Sequence, residues 1–245
     1  MSRILALYHI KGGVGKTATA VNLSYLAAAE GYRTLLWDLD PQGATSFYYR
    51  VRPRVKGGGR KLILRKRPLE EVIKGTDYSG LDLIPADFSY RNLDLDLAET
   101  RKPHARIRKL LKPIKGDYDL ILLDCAPGIT LTSEAVCHAA DALVVPLIPT
   151  TLSVRTYHQL QDHLTAQGLH RLPRRPFFSM VDRRRSMHRT LVDTLTREIP
   201  ELLPIEIPYS AHVERMGERR APLCEFAPRL PVVDAYRNLL QALMA

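Results

Sequence analysis

The sequence predicts an α/β fold, a doubly wound and mostly parallel sheet with helices on both faces. Three observations lead there. Ile4-Leu5-Ala6-Leu7-Tyr8 is a short apolar run without alternation, as a strand buried on both faces requires. A glycine-rich turn follows it, and then an Ala- and Leu-rich stretch from Ala18 to Ala29 with Ala20, Val21, Leu23, Ser24 and Ala27 at helical spacing. Further apolar runs recur down the chain, and two of them deliver an aspartate to a strand end. Open parallel sheets bind their ligands at the carboxyl ends of the strands.

The turn between the first strand and helix reads Lys11-Gly12-Gly13-Val14-Gly15-Lys16-Thr17. Three glycines let successive backbone N–H groups point inward, and the helix start, with the Ala18 N–H, adds partial positive charge. Lys16 is placed to reach outer phosphates, and the Thr17 hydroxyl to sit on Mg²⁺. The general phosphate-loop pattern wants glycine six residues before that lysine. Here the position is Ile10, and a second lysine, Lys11, opens the loop instead.

Downstream, Gly31 reads as the stop of the first helix. Thr34-Leu35-Leu36-Trp37 is a second buried strand, running into Asp38-Leu39-Asp40-Pro41-Gln42-Gly43. Read alone, Asp40 suits a turn or a helix N-cap; beside the glycine loop it suits catalysis. Pro68 opens a helix start, Leu81 to Ala86 is a strand, and Asn92 to Thr100 a polar helix. From Arg101 to Lys115 seven basic residues occur without one acid, with Ile107, Leu110 and Leu111 as an apolar stripe, so a solvated helix face is expected. Asp119-Leu120-Ile121-Leu122-Leu123-Asp124 is a strand presenting Asp124, suited to holding Mg²⁺ through its water shell. Ala142 to Leu147 and Phe177 to Asp182 are further strands, Thr151 to Thr165 and Val232 to Met244 further helices, and Ile205 to Pro208 precedes a loop.

At 245 residues the chain is expected to form one domain, 1–245, with a basic insertion at about 50–67. The formal net charge is +10, and residues 50–67 hold nine basic residues and no acid; the rest carries 27 basic against 26 acidic. That block predicts a hairpin or flexible arm with phosphate contacts, Leu62-Ile63-Leu64 pairing as a short strand and the glycines at 57–59 interrupting helix. Cys125, Cys137 and Cys224 have no paired spacing, which argues against a disulfide framework or zinc site. No signal sequence opens the chain and no apolar run reaches membrane-spanning length, so a cytoplasmic protein is expected.

Lys11-Gly12-Gly13-Val14-Gly15-Lys16-Thr17 closely resembles the deviant Walker A box of the ParA/MinD family of ATPases. The Asp38–Gly43 box, Asp124-Cys125-Ala126-Pro127-Gly128, Leu81 to Ala86 and Pro222 to Pro228 also resemble family segments; residues 50–67 align with none. The resemblance implies a P-loop NTPase fold, ATP and Mg²⁺ as cofactors, and a nucleotide site at Lys11 to Ala18. It makes Lys11 the lysine that crosses to a partner's nucleotide, Asp40 the residue that organises Mg²⁺ and attacking water, and Thr17, Asp40 and Asp124 the metal side of the site. Met180, Asp182 and Pro208 would flank adenine, although Tyr209 stands where the family usually has arginine. Ala18 replaces a frequent second threonine, and His9 replaces Asn or Gln.

Three functions fit this resemblance to different degrees. A ParA-type partitioning ATPase would form an ATP-sandwich homodimer, bind DNA without sequence preference, and answer to a ParB-like adaptor on the nucleoid. Its DNA contacts would come from Arg183, Arg184, Arg185 and Arg189 with Arg215, Arg219 and Arg220. No helix-turn-helix precedes Lys11, so operator recognition is not expected. A MinD-like membrane ATPase is the alternative, but no lysine or arginine follows Arg237 to build a basic lipid-docking helix. A cluster-ligating reductase fails on cysteine placement, since Cys125 sits in the strand-end box and Cys137 on the next helix.

Overall fold

The computed structural model describes residues 2–245. Eight strands form one sheet in the order β3-β4-β2-β5-β1-β6-β7-β8, and every pairing is parallel except β3 with β4. β1 (Arg3–Leu7), β2 (Thr34–Asp38), β5 (Leu120–Asp124) and β6 (Ala142–Leu147) make its centre. Every residue of β2, β5 and β6 is buried, which explains apolar runs that do not alternate. β3 (Lys74–Gly75) and β4 (Leu81–Ile84) close one edge, β7 (Arg174–Val181) and β8 (Glu206–Pro208) the other.

Helices cover both faces. α1 (Lys16–Ala29) and α12 (Pro231–Met244) pack together on one face, burying Leu23, Leu26, Tyr236 and Leu239 against Leu5, Leu36 and Leu122. The opposite face carries α4 (Leu93–Ala98), α5 (Arg106–Leu111), α6 (Leu131–Ala139) and α7 (Thr151–Ala166), whose apolar residues meet Trp37, Ile121 and Val145. α8 (Ser186–Glu198) joins them through Val192 and Leu195. α2 (Ala44–Tyr48) follows β2, and the short helices α9 (Ala211–Glu214), α10 (Met216–Arg219) and α11 (Leu223–Phe226) lead from β8 into α12. The apolar stripe of α12 is spent on the core.

The expected arm at 50–67 is not one. Residues Gly58–Ile63 form a helix, α3, and Leu62 and Ile63 are fully buried rather than paired as a strand. The glycines do not interrupt this helix; they start it. Gly57 caps its N-terminus at φ +89°, and Gly59 lies so close to Tyr90 and Leu93 that an added Cβ would fall 2.8 Å from the tyrosine ring. Burial of Val55, Leu62, Ile63 and Leu69 outweighs repulsion among the cations, three of which find acids elsewhere: Arg50 pairs with Asp77, Arg60 with Asp96 and Glu99, and Arg67 with Glu71. The helix expected after Pro68 is a single 3₁₀ turn, Glu70–Val72.

Candidate functional site: the phosphate loop and its carboxylates

The loop from Tyr8 to Gly15 joins β1 to α1 at the carboxyl edge of the sheet. Gly13 and Gly15 adopt φ of +70° and +94°, a region glycine enters without strain. Gly15 has a second constraint, because a Cβ there would sit 2.8 Å from Ser179 Oγ. Lys16 is 7 % exposed and folds back over the loop, donating to the Lys11 carbonyl at 3.3 Å. Burial pulls its pKa down, while Asp124 and Asp40 hold it up. Lys11 is only half-buried. Its backbone N–H donates to His9 Nδ1 at 2.9 Å, so a fully buried imidazole fixes the start of the loop.

Two aspartates end the central strands. β2 and β5 pair in register, which sets Asp38 beside Asp124, both buried. Asp38 accepts from Ser46 N at 2.8 Å and Ser46 Oγ at 2.7 Å, tying α2 to the strand end. Asp40 accepts from Gln42 N at 2.9 Å, so its carboxylate shapes the turn expected of it while staying beside Lys16. Asp124 Oδ2 accepts from Thr45 Oγ1 at 2.7 Å, whereas Asp124 Oδ1 is buried without a partner. Burial, and then the charge of Asp124, raises the pKa of Asp38. Burial likewise raises Asp124, opposed by the hydroxyls of Thr45 and Thr17 and by Lys16. A buried carboxylate oxygen with no donor, next to a loop of inward N–H groups, suits a hydrated divalent cation. The residues present therefore fit Mg²⁺ together with a polyphosphate.

The family profile described as an AAA domain matches residues 2–169. The sporulation initiation inhibitor protein Soj of Bacillus subtilis is 27% identical over 258 aligned residues, covering 100% of this chain and 99% of that protein. The chain belongs to the ParA/MinD family of deviant Walker A ATPases. The chromosome partitioning protein ParA of Caulobacter vibrioides is 37% identical over 148 residues, 59% of this chain and 55% of that protein, so the match spans about half of that relative. In fold, a putative plasmid partition protein of Borrelia burgdorferi bound to AMPPNP superimposes with a TM-score of 0.86 at 21% identity, covering 100% of this chain and 99% of that one.

In this ParA/MinD ATPase the remaining candidate residues fall into separate groups. Val181 is in register with Pro208, and Tyr209 N donates to Val181 O at 2.9 Å, so Met180, Asp182 and Pro208 lie at one end of β7 and β8. Met180 holds φ +54° and its methyl lies close to Gly15. The Asp182 carboxylate is taken by Arg184 at 2.9 and 3.0 Å, which brings its pKa down to about 2. Arg183, Arg184, Arg185 and Arg189 stand around the start of α8; Arg215, Arg219 and Arg220 belong to the opposite face. Arg183 pairs with Glu206, and Arg220 stacks on Phe47 while donating to its carbonyl.

Four residues of the site carried no role in the sequence reading. Asp38, Thr45 and Ser46 flank the Asp40 turn, and their signal was a second aspartate two residues before Asp40 with two hydroxyl residues just after Gly43. His9 is the fourth, and its signal was a ring nitrogen two residues before Lys11.

Proposed function

We propose that the chain is a Mg²⁺-dependent, intrinsically slow ATPase that closes as an ATP-sandwich homodimer and positions a plasmid, chromosome or other cargo on DNA. The observation that carries the reading is the orphaned Asp124 Oδ1 beside Lys16 and Thr17. Lys11, Gly12, Gly13, Val14, Gly15, Lys16, Thr17 and Ala18 would bind the phosphates, and Thr17, Asp40 and Asp124 would hold the metal through its waters. Bound there, Mg²⁺ supplies Lewis-acid stabilisation of charge on the phosphoryl oxygens. Lys16 adds a fixed positive charge in a desolvated pocket, where it counts for more than in water. Asp40 orients the attacking water from a turn held by Gln42 N and by Ser46 through Asp38. Met180, Asp182 and Pro208 would flank the base.

Dimerisation is supported by what surrounds the loop. Among the described residues, Phe47, Phe88, Leu95, Ile129, Leu152, Met187 and Tyr209 are the exposed large apolar side chains, and each comes after the carboxyl end of a strand in chain order. Lys11 likewise follows β1, and a second copy facing the carboxyl edge would cover apolar side chains near it. DNA would bind without sequence preference through exposed cations, and a ParB-like adaptor would stimulate hydrolysis on the nucleoid. No helix among the described residues is long and apolar enough to cross a membrane. Calorimetry with ATP and Mg²⁺ tests the reading. The unaltered protein is expected to bind, and Lys16→Ala to lose binding; equal affinity in both would end the phosphate-loop assignment.

A further inference from the structure

A block of uncompensated charge lies away from the loop, on the flank of the sheet that carries α5. Arg101, Lys102, Arg108, Lys109 and Lys112 are exposed, and among the described residues none has an acid within ion-pair distance. Three clefts of about 280, 450 and 440 Å³ share these side chains, and no acidic residue lines any of them. The smallest is bounded by Thr100, Arg101, Lys102, Arg106 and Lys109. Arg106 has its pKa pulled down by burial and then by the positive charge of Arg65. The cleft next to Arg183 differs, being lined by Asp193 and Glu206 as well as arginine.

We infer that residues 101–112, the loop before α5 and α5 itself, form a contact for the phosphate backbone of duplex DNA. This deepens the DNA-binding part of the reading above and rests on it. The acid-free flank attracts a polyanion more strongly than Arg183, Arg184 and Arg185, whose charge Glu206 and Asp182 partly cancel. Two observations select duplex DNA over other polyanions. Ile107, Leu110 and Leu111 are buried in the core, so α5 has no free apolar face to sink into lipid. Residues 101–115 contain no Phe, Tyr or Trp on which single-stranded bases could stack. The flank also lies across the sheet from α1. It would stay open when the carboxyl edge is covered by a second copy.

The test is a salt series of duplex-oligonucleotide binding with ATP and Mg²⁺. It compares the unaltered protein, a quadruple variant Arg101→Gln, Lys102→Gln, Arg108→Gln and Lys109→Gln, and a second quadruple variant at Arg183, Arg184, Arg185 and Arg189. The flank variant is expected to bind at least about tenfold more weakly, with its salt slope reduced by about two to three. The second variant should lose less, and ATP turnover without DNA should be unchanged in the flank variant. Unchanged affinity and slope in the flank variant would overturn the inference while leaving DNA binding intact. No DNA binding by the unaltered protein at low salt would overturn the inference and the DNA reading together. Loss of binding to phosphatidylglycerol vesicles without loss of DNA binding would overturn it in favour of a lipid surface.

Discussion

His9 and Lys11 are joined by a hydrogen bond from the lysine's backbone N–H to Nδ1 of a fully buried imidazole, at 2.9 Å. The ring accepts only while neutral at that nitrogen. Burial, reinforced by the charges of Lys16 and Lys11, lowers its pKa from 6.5 to about 4. The unfolded chain therefore takes up this proton near pH 6.5 and the folded chain near pH 4. The stability His9 allows is fully present above pH 6.5 and is lost as pH falls through that window, by about 3 kcal/mol. His9→Asn keeps a short acceptor without a titrating ring. Denaturant unfolding between pH 4 and 7 should show a flatter pH dependence in that variant, and identical slopes would remove His9 from the account.

Gly15→Ala meets two obstacles, a φ of +94° and Ser179 Oγ at 2.8 Å from the new Cβ. Affinity for ATP with Mg²⁺ should fall by at least about tenfold, since a misplaced loop N–H costs about 1.5–3 kcal/mol where it meets a charged group. Calorimetry reads this directly. Adding Ser179→Ala should recover only part of the loss, because the backbone strain persists.

The packed α3 predicts stability effects that a flexible arm would not show. Leu62→Ala should cost about 2–5 kcal/mol, as for other fully buried leucines. Gly59→Ala gains about 1 kcal/mol of helix propensity but presses a methyl against Tyr90, costing about 1–3 kcal/mol. Thermal melts check both. A melting temperature unchanged by Leu62→Ala would restore the arm.

That segment marks where legibility failed. The central strands were readable because burial on both faces leaves nothing but apolar residues, as in Leu120 to Leu123. The phosphate loop was readable because its glycines have few other uses. Residues 50–67 misled because charge density dominated the sequence, while the deciding contacts of Leu62 and Ile63 involve residues far along the chain such as Tyr90, Leu93 and Arg106. The same holds for Asp38. Its importance comes from cross-strand register with Asp124 and from the Ser46 hydroxyl; the local sequence shows the second aspartate and the nearby hydroxyls but not that pairing.

Asp40→Ala should leave nucleotide affinity nearly intact and slow turnover on the order of a hundredfold, the usual contribution of a residue that orients an attacking water. The loop, Lys16 and Asp124 are untouched, so binding and hydrolysis should separate. Single-turnover assays with matched calorimetry measure both, and unaltered turnover would take Asp40 out of the mechanism.

In the proposed ATPase, nucleotide closes two copies over the carboxyl edge with Lys11 reaching across. Sedimentation velocity with ATP and Mg²⁺, run on the unaltered protein and on Lys11→Ala, tests it most directly. The unaltered protein is expected to shift from monomer to dimer, and Lys11→Ala to bind ATP yet remain monomeric. An ATP-dependent dimer of equal strength in Lys11→Ala, or none in the unaltered protein, would contradict the account.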